Sequence, residues 1–298
     1  MQPRHNSKLL VVNRAAQQLA DYHFYDLPSL LTSEHVIVRN NTKVIPARVF
    51  GTKTTGGQAE LLLIKRLANS ETGEIWECLT KPGLKIGQKL IFEGEQTKSA
   101  TDSLQASCIE DLGNTRKIQF SQSGHQLFST LEEIGHTPIP PYIEWDKKDP
   151  ESLKKLYQTT YAKVSGSAAA PTAGLHFTPE VDAALINNGV QILEVTLHVG
   201  LGTFLRVKTD TISEHTMHSE WFSLDSETAT QLNQARAQGK KIIAVGTTST
   251  RVLETIAWQN QGAPGGHPDH NPALSDKPLF TAASGDTDIF IYPPYQFR

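Results

Sequence analysis

Apolar and polar positions divide the chain into three zones. Residues 1–46 hold two short apolar runs, Leu9–Val12 and Val36–Val38, each closed by a polar turn. Both predict buried strands that end at that turn. Residues 47–128 carry strand-like runs at Glu60–Arg66, Ile75–Leu79, Lys89–Phe92, Ala106–Ile109 and Lys117–Phe120. Turn signals separate the runs, among them Thr55-Gly56-Gly57, Lys81-Pro82-Gly83 and Leu112-Gly113-Asn114. Strands at this spacing predict a small antiparallel barrel or sandwich.

From residue 129 to 298, helix and strand patterns alternate. Asp149-Pro150 and Thr178-Pro179 each read as an N-cap followed by proline at the first helical position. The helices they open are expected to reach Tyr161 and to stop at Gly189. Val190–Val199 predicts a strand, Ser226–Gln238 a helix closed by Gly239, and Lys241–Val245 a buried strand feeding a helix over Thr248–Trp258. Gln259–Pro278 reads as a loop, and Thr287–Ile291 as a last strand. The fold class that follows is α/β: an α/β domain in two parts, 1–46 and 129–298, interrupted by an inserted β-barrel domain at 47–128.

Length agrees, since 298 residues and 32.8 kDa correspond to about two domains. Two cysteines, Cys78 and Cys108, in no CxxC or Cys/His spacing exclude a zinc ribbon or a disulfide scaffold. No stretch approaches the ~18 apolar residues of a membrane span. The N-terminal apolar run is too short for a secretory signal. A cytoplasmic setting without membrane contact is expected. A net charge of -3 gives no global attraction to nucleic acid. Charge is uneven, however: Arg39, Lys43, Arg48, Lys53, Lys65 and Arg66 face only Glu60 between residues 39 and 66. This reads either as a solvated strand surface or as a phosphate-contacting patch.

Several segments could carry chemistry. In Lys241–Glu254 a strand ends at Gly246, and Thr247, Thr248 and Ser249 open a helix whose free N–H groups suit an anion. Arg251 lies one turn in, able to pair with a carboxylate or phosphate. Ordinary strand-to-helix capping is the plainer reading. In Thr196–Phe204, Gly200 and Gly202 permit close approach of backbone to a ligand or simply make a tight turn, and His198 faces either a pocket or the core. His215 and His218 share a face if helical, with Glu220 nearby. A metal site there lacks the usual i, i+4 spacing, so acid–base or hydrogen-bonding roles are preferred and no metal is expected. Gly166–Phe177 has almost no side-chain bulk and ends at His176, which fits a tight crossing or a flat ligand. His136 sits in a proline-rich connector at the domain junction.

These segments, in this order, resemble one family, the S-adenosylmethionine:tRNA ribosyltransferase-isomerases of queuosine biosynthesis. The matching runs are Asn40–Arg48, Gly135–Ile143, Tyr157–Thr178, Thr196–Phe204, His215–Trp221, Ala244–Glu254 and Gly285–Phe297. Asn41, Thr160, Ala168 and Pro294 depart from the family pattern. Family members continue past the position of Arg298, so the resemblance implies that a C-terminal segment is missing here.

The resemblance implies a two-domain fold and a reaction. The ribosyl part of S-adenosylmethionine, a co-substrate, moves to the aminomethyl group of a 7-aminomethyl-7-deazaguanine in the tRNA anticodon and rearranges. Epoxyqueuosine-tRNA, adenine and methionine result. The chemistry needs a base beside C5′, a proton for departing adenine and a neutral attacking amine, tasks suited to histidine near neutral pH. His176 and His198 are therefore expected to line the site, with His215 or His218 carrying protons and Glu220 favouring the sulfonium or orienting a histidine. Gly200, Gly202, Thr203, Gly246, Thr247, Thr248 and Arg251 are candidates for holding S-adenosylmethionine, the helix start and Arg251 taking its carboxylate. Lys43, Arg48 and His136 are candidates for tRNA, and a monomer is expected. The competing readings are a sugar-phosphate isomerase or transferase, a non-catalytic tRNA-binding remnant, and a metal-dependent hydrolase at His215 and His218.

Overall fold

The computed structural model describes residues 3–70, 72–93, 103–139, 150–200, 211–212, 215, 217–261 and 278–298. An N-terminal ribbon of β1 (Lys8–Asn13) and β2 (Gln18–His23) precedes a single helical turn, α1 (Leu27–Leu30), and then β3 (His35–Asn40) and β4 (Thr42–Val44). The chain next builds β5 (Arg48–Lys53), β6 (Gln58–Ser70), β7 (Gly73–Lys81), β8 (Lys89–Phe92), β9 (Leu104–Asp111) and β10 (Arg116–Phe120). These six close into an antiparallel barrel in the order β10-β7-β6-β5-β8-β9. Alternation along each strand fills its interior with Val49, Leu61, Leu63, Trp76, Leu90, Phe92, Ile118 and Phe120.

All five strand runs expected in this zone lie in the barrel. The sequence predicts no strand at β5, because Gly51 interrupts its apolar pattern. The Phe92 ring takes up that space, with Cε1 2.7 Å from where a Cβ at Gly51 would sit. Helix α2 (Gly124–Ile134) is likewise absent from the sequence expectations. Its Leu127 and Leu131, one turn apart on a single face, are fully buried in the barrel core.

Helix α3 (Pro150–Leu156) stops short of Tyr161, because the chain turns at Gln158–Lys163 to enter β11 (Val164–Ser167), which pairs in parallel with β4. A short 3-10 turn at Thr172–His176 leads to α4 (Pro179–Asn187), then β12 (Gln191–Leu197), β13 (Glu220–Leu224), α5 (Ser226–Ala237), β14 (Lys241–Ala244), α6 (Gly246–Asn260) and β15 (Ala283–Thr287). Thr178 caps α4, accepting from Val181 N–H, with Pro179 at the first position as expected. The last strand lies over Ala283–Thr287 instead of Thr287–Ile291. Its ladder partner is β13, while Ile289 is buried outside any ladder.

One mixed sheet, in the order β14-β3-β12-β13-β15, carries the α/β part. β14, β3 and β12 are parallel, β13 runs against β12, and β15 against β13. Residue alternation on β3 splits the core. Ile37 packs with Val181 and Leu185 of α4, whereas Val36 and Val38 pack with Leu232 of α5 and Val252 and Ile256 of α6. Val36–Val38 is thus the buried strand expected. Leu9–Val12 is not, since among the described residues β1 pairs only with β2 and no layer covers the ribbon, leaving Leu10 and Val12 more than half exposed. Among the described residues no helix is long and apolar enough to cross a membrane.

Candidate active site

The three parallel strands end on the same edge of the sheet. In register, Ala244 of β14 lies beside Val38 of β3, and Asn40 of β3 beside Val195 of β12. The helices that next pack on the sheet after β3 and after β12 are α4 and α5, on opposite faces. Connections that diverge in this way open a crevice outside the carboxyl ends of the two strands, where open α/β sheets hold ligands. The residues at this point are Thr42, past β3, and His198 and Gly200, past β12. Antiparallel β13 begins there too, with Glu220.

The barrel closes this edge off. Between barrel and sheet lies a cavity of about 700 Å³. His198, Gly200, His218, Glu220 and Trp221 line it from the sheet side, and Ser165 and Gly166 from β11. The barrel contributes Ile64–Ala68, Trp76, Glu77 and Thr115, and α2 contributes Phe128.

His198 is fixed on three sides. Its ring stacks on Trp221, centroids 5.0 Å apart. Nδ1 lies 2.7 Å from Thr42 Oγ1. The Thr42 hydroxyl donates to the Val164 carbonyl at 3.5 Å, so the hydrogen-bond network assigns the proton to Nδ1 and leaves Nε2 an acceptor. Burial holds the imidazole down at about 4, far below its ordinary value of 6.5. His198 is therefore neutral at pH 7, its one proton directed at Thr42 and Nε2 left as a hydrogen-bond acceptor. Gly166, at φ +150°, makes room for it: a Cβ there would sit 2.6 Å from Nε2.

Glu220 is buried against the same cavity. One carboxylate oxygen accepts the Gly200 N–H at 2.8 Å, and the other pairs with Arg251 Nη1. Arg251 Nη2 donates to the carbonyls of Thr287 (3.1 Å) and His218 (3.3 Å). The guanidinium thus ties together the start of β13, the end of β15 and the glycine turn after β12. Its charge is matched by Glu220, so it is not the free counter-group for a substrate carboxylate that the sequence implied. Glu220 likewise orients a backbone turn and not a histidine.

The family model for queuosine biosynthesis proteins matches residues 1–298. The chain belongs to this family. It is 42% identical over its whole length to the S-adenosylmethionine:tRNA ribosyltransferase-isomerase of Carboxydothermus hydrogenoformans, and 42% identical to the protein of the same name from Desulfitobacterium hafniense. In both cases it covers 79% of the relative. The crystal structure of S-adenosylmethionine tRNA ribosyltransferase from Thermotoga maritima is similar over all of this chain and 75% of that one, at 29% identity and a TM-score of 0.43. The family match and the two relatives show the resemblance read from the motifs, and with it the ribosyltransferase-isomerase activity of queuosine biosynthesis.

Of the residues that the family motifs singled out, His198, Gly200, His218 and Glu220 meet in the cavity. Arg251 stands directly behind Glu220. His176 does not reach it: the histidine ends the 3-10 turn and packs beside Phe24, centroids 5.5 Å apart. That turn touches the other candidate group, since a Cβ at Gly246 would lie 3.0 Å from Ala173 Cβ. No side chain caps the α6 start; Thr247 is exposed, Thr248 half-buried, and Ser249 Oγ is buried without a hydrogen bond. His215 is not helical, so it shares no helix face with His218; its ring edge meets Phe290, centroids 5.2 Å apart. Among the described residues no group of three potential metal ligands converges. Gly202 and Thr203 lie outside the described residues.

The basic run is largely neutralised. Arg39 pairs with Asp182 and Glu194 and stacks on Tyr161, Arg48 pairs with Glu60, Lys65 with Asp286, and Arg66 with Glu74. Lys43 and Lys53 have no ion pair among the described residues. Arg48 and His136 pair backbone to backbone, at 2.8 and 3.1 Å. The patch is therefore mainly a set of local ion pairs instead of an uncompensated phosphate track.

Proposed function

We propose that the cavity between barrel and sheet edge is where the ribosyl part of S-adenosylmethionine passes to the aminomethyl group of the tRNA base. The observation that carries this reading is the convergence of four motif residues, His198, Gly200, His218 and Glu220, on a single cavity at the crevice of the sheet. The turn at Gly200, held by Glu220 and Arg251, offers backbone at close range to the nucleoside. His198 Nε2 is a neutral acceptor beside it, which avoids repulsion with a sulfonium. His218, exposed at the rim, is assigned the proton traffic that His198 cannot carry.

The methionine carboxylate is assigned to the uncapped start of α6. Two strand spacings separate the ends of β14 and β12, about 10 Å, and free N–H groups at a helix start favour an anion. His176 then acts from the same side as Gly246. Lys43, whose register partner Ser165 lines the cavity, remains a candidate for tRNA phosphate, along with Arg48 and His136. The reaction is assigned to a monomer, and a tRNA substrate supports a cytoplasmic setting.

The test is incubation of the protein with adenine-labelled S-adenosylmethionine and tRNA carrying the aminomethyl base. Adenine release that requires that tRNA is expected. His218→Ala is expected to slow it by about 10²–10⁴-fold. Release independent of tRNA would favour a small-molecule transferase, and tRNA binding without release would favour a non-catalytic remnant.

A further inference from the structure

Among the described residues, the charged groups on the barrel wall of the cavity are paired with one exception. Lys65 Nζ contacts Asp286 Oδ1 at 2.9 Å and Ser219 Oγ at 3.0 Å, so it reaches from β6 across to the sheet. Arg66 pairs with fully buried Glu74 at 2.8 Å, and on the sheet side Glu220 has Arg251. Glu77 on β7 remains. It is half-buried and lines the cavity. Its cross-strand neighbours are Lys65 on β6 and Lys117 on β10. Those two lysines already have carboxylates of their own, Asp286 for Lys65 and Glu110 for Lys117 at 2.6 Å. The partner that Glu77 does have is neutral: buried Thr115 donates its hydroxyl to Oε1 at 2.7 Å. Among the described residues Oε2 accepts no hydrogen bond.

A carboxylate held by a hydroxyl in a cavity wall, with no cation of its own, is matched to a cationic ligand group. We propose that Glu77 is a specificity-determining residue that recognises the aminomethyl base on the incoming tRNA in its ammonium form, which gives up one proton to His218 in the same cavity before the neutral amine attacks. This rests on the reading of the cavity given above. Two cations enter that cavity, a sulfonium and a primary ammonium, and their sides differ. The nucleoside belongs at the sheet edge, by Gly200 and His198. Glu77 stands on the other wall, among Ile64, Leu67, Ala68 and Phe128, apolar and aromatic surface suited to a flat base. Thr115 orients the carboxylate, which selects a base bearing a positive side arm.

The experiment compares two full-length tRNAs, one carrying the aminomethyl base and one carrying the 7-cyano base, which has no ammonium. The wild-type protein is expected to bind the first about ten- to a hundredfold more tightly, the worth of one hydrogen-bonded charge. Glu77→Gln keeps the acceptor for Thr115 but not the charge. It is expected to lose that preference, with KM for S-adenosylmethionine unchanged, while Glu77→Asp keeps most of it. Equal weakening toward both tRNAs, an unchanged preference, or a rise confined to KM for S-adenosylmethionine would overturn the assignment. If the wild-type protein releases no adenine with either tRNA, the reaction reading fails and this assignment fails with it. If it turns over and Glu77→Gln discriminates as before, only Glu77 is wrong.

Discussion

Replacing Gly166 with alanine tests the construction of the site from a position that makes no hydrogen bond through a side chain. A Cβ at residue 166 would stand 2.6 Å from His198 Nε2, 2.8 Å from Cδ2 and 2.9 Å from Cε1. Ordinary contact begins at 3.4 Å, so the imidazole must retreat by roughly 0.8 Å, the shortfall of the closest contact. The shift stretches a 2.7 Å bond to Thr42 and opens a 5.0 Å stack on Trp221. An alanine held at φ +150° adds backbone strain of about 1–3 kcal/mol. The lost hydrogen bond adds about 1 kcal/mol. A destabilisation of about 2–4 kcal/mol is therefore expected, read by denaturant unfolding. Displacing a contact group by this much lowers turnover by about 10²-fold, read as tRNA-dependent adenine release. Wild-type stability together with wild-type turnover in Gly166→Ala would refute the packing argument.

Other consequences follow from the same geometry. The imidazole of His198 is held at about 4 in the folded protein against 6.5 when unfolded; the neutral form thus stabilises the fold above pH 6.5, by about 3 kcal/mol. That contribution is lost as pH falls from 6.5 toward 4, so His198→Asn should flatten the pH dependence of unfolding in this window, and an unaltered slope would exclude the cause. Arg251→Met leaves Glu220 buried without its cation and should cost about 3–5 kcal/mol, while a double-mutant cycle with Glu220→Gln should show coupling above about 1 kcal/mol. Burial pushes the Cys78 thiol well up, so alkylation should be slow in the native protein and fast in denaturant; rapid native labelling would contradict that burial.

The barrel was legible because its strands alternate and its turns carry glycine, signals that need only neighbours in sequence. The Thr178 and Asp225 caps were or could have been read for the same reason, as Asp225 accepts from Thr228 N–H. Leu9–Val12 reads as buried because an apolar run records what could be buried, whereas none of the described residues forms a layer over that ribbon. Site residues divide in the same way. His198, Gly200, His218 and Glu220 lie at strand ends inside motifs and were named. The motifs also held Thr42, Gly166 and Trp221, but their reason for being there is His198, which is distant in sequence from two of them. Glu77 had no sequence signal: it is one polar residue in an alternating strand, and its place in the cavity arises only when the barrel closes against the sheet. Arg251 was named for its helix position, yet Glu220, which takes its charge, comes from another strand.

The central claim is that the nucleoside sits at the crevice of the sheet, facing the barrel. A crystal structure of this chain with a non-reacting S-adenosylmethionine analogue measures that directly. The ribose is expected beside Gly200 and within contact of His198, with the amino-acid arm reaching toward Gly246. An analogue bound elsewhere, with the space between His198, Glu220 and the barrel wall left without it, would contradict the account.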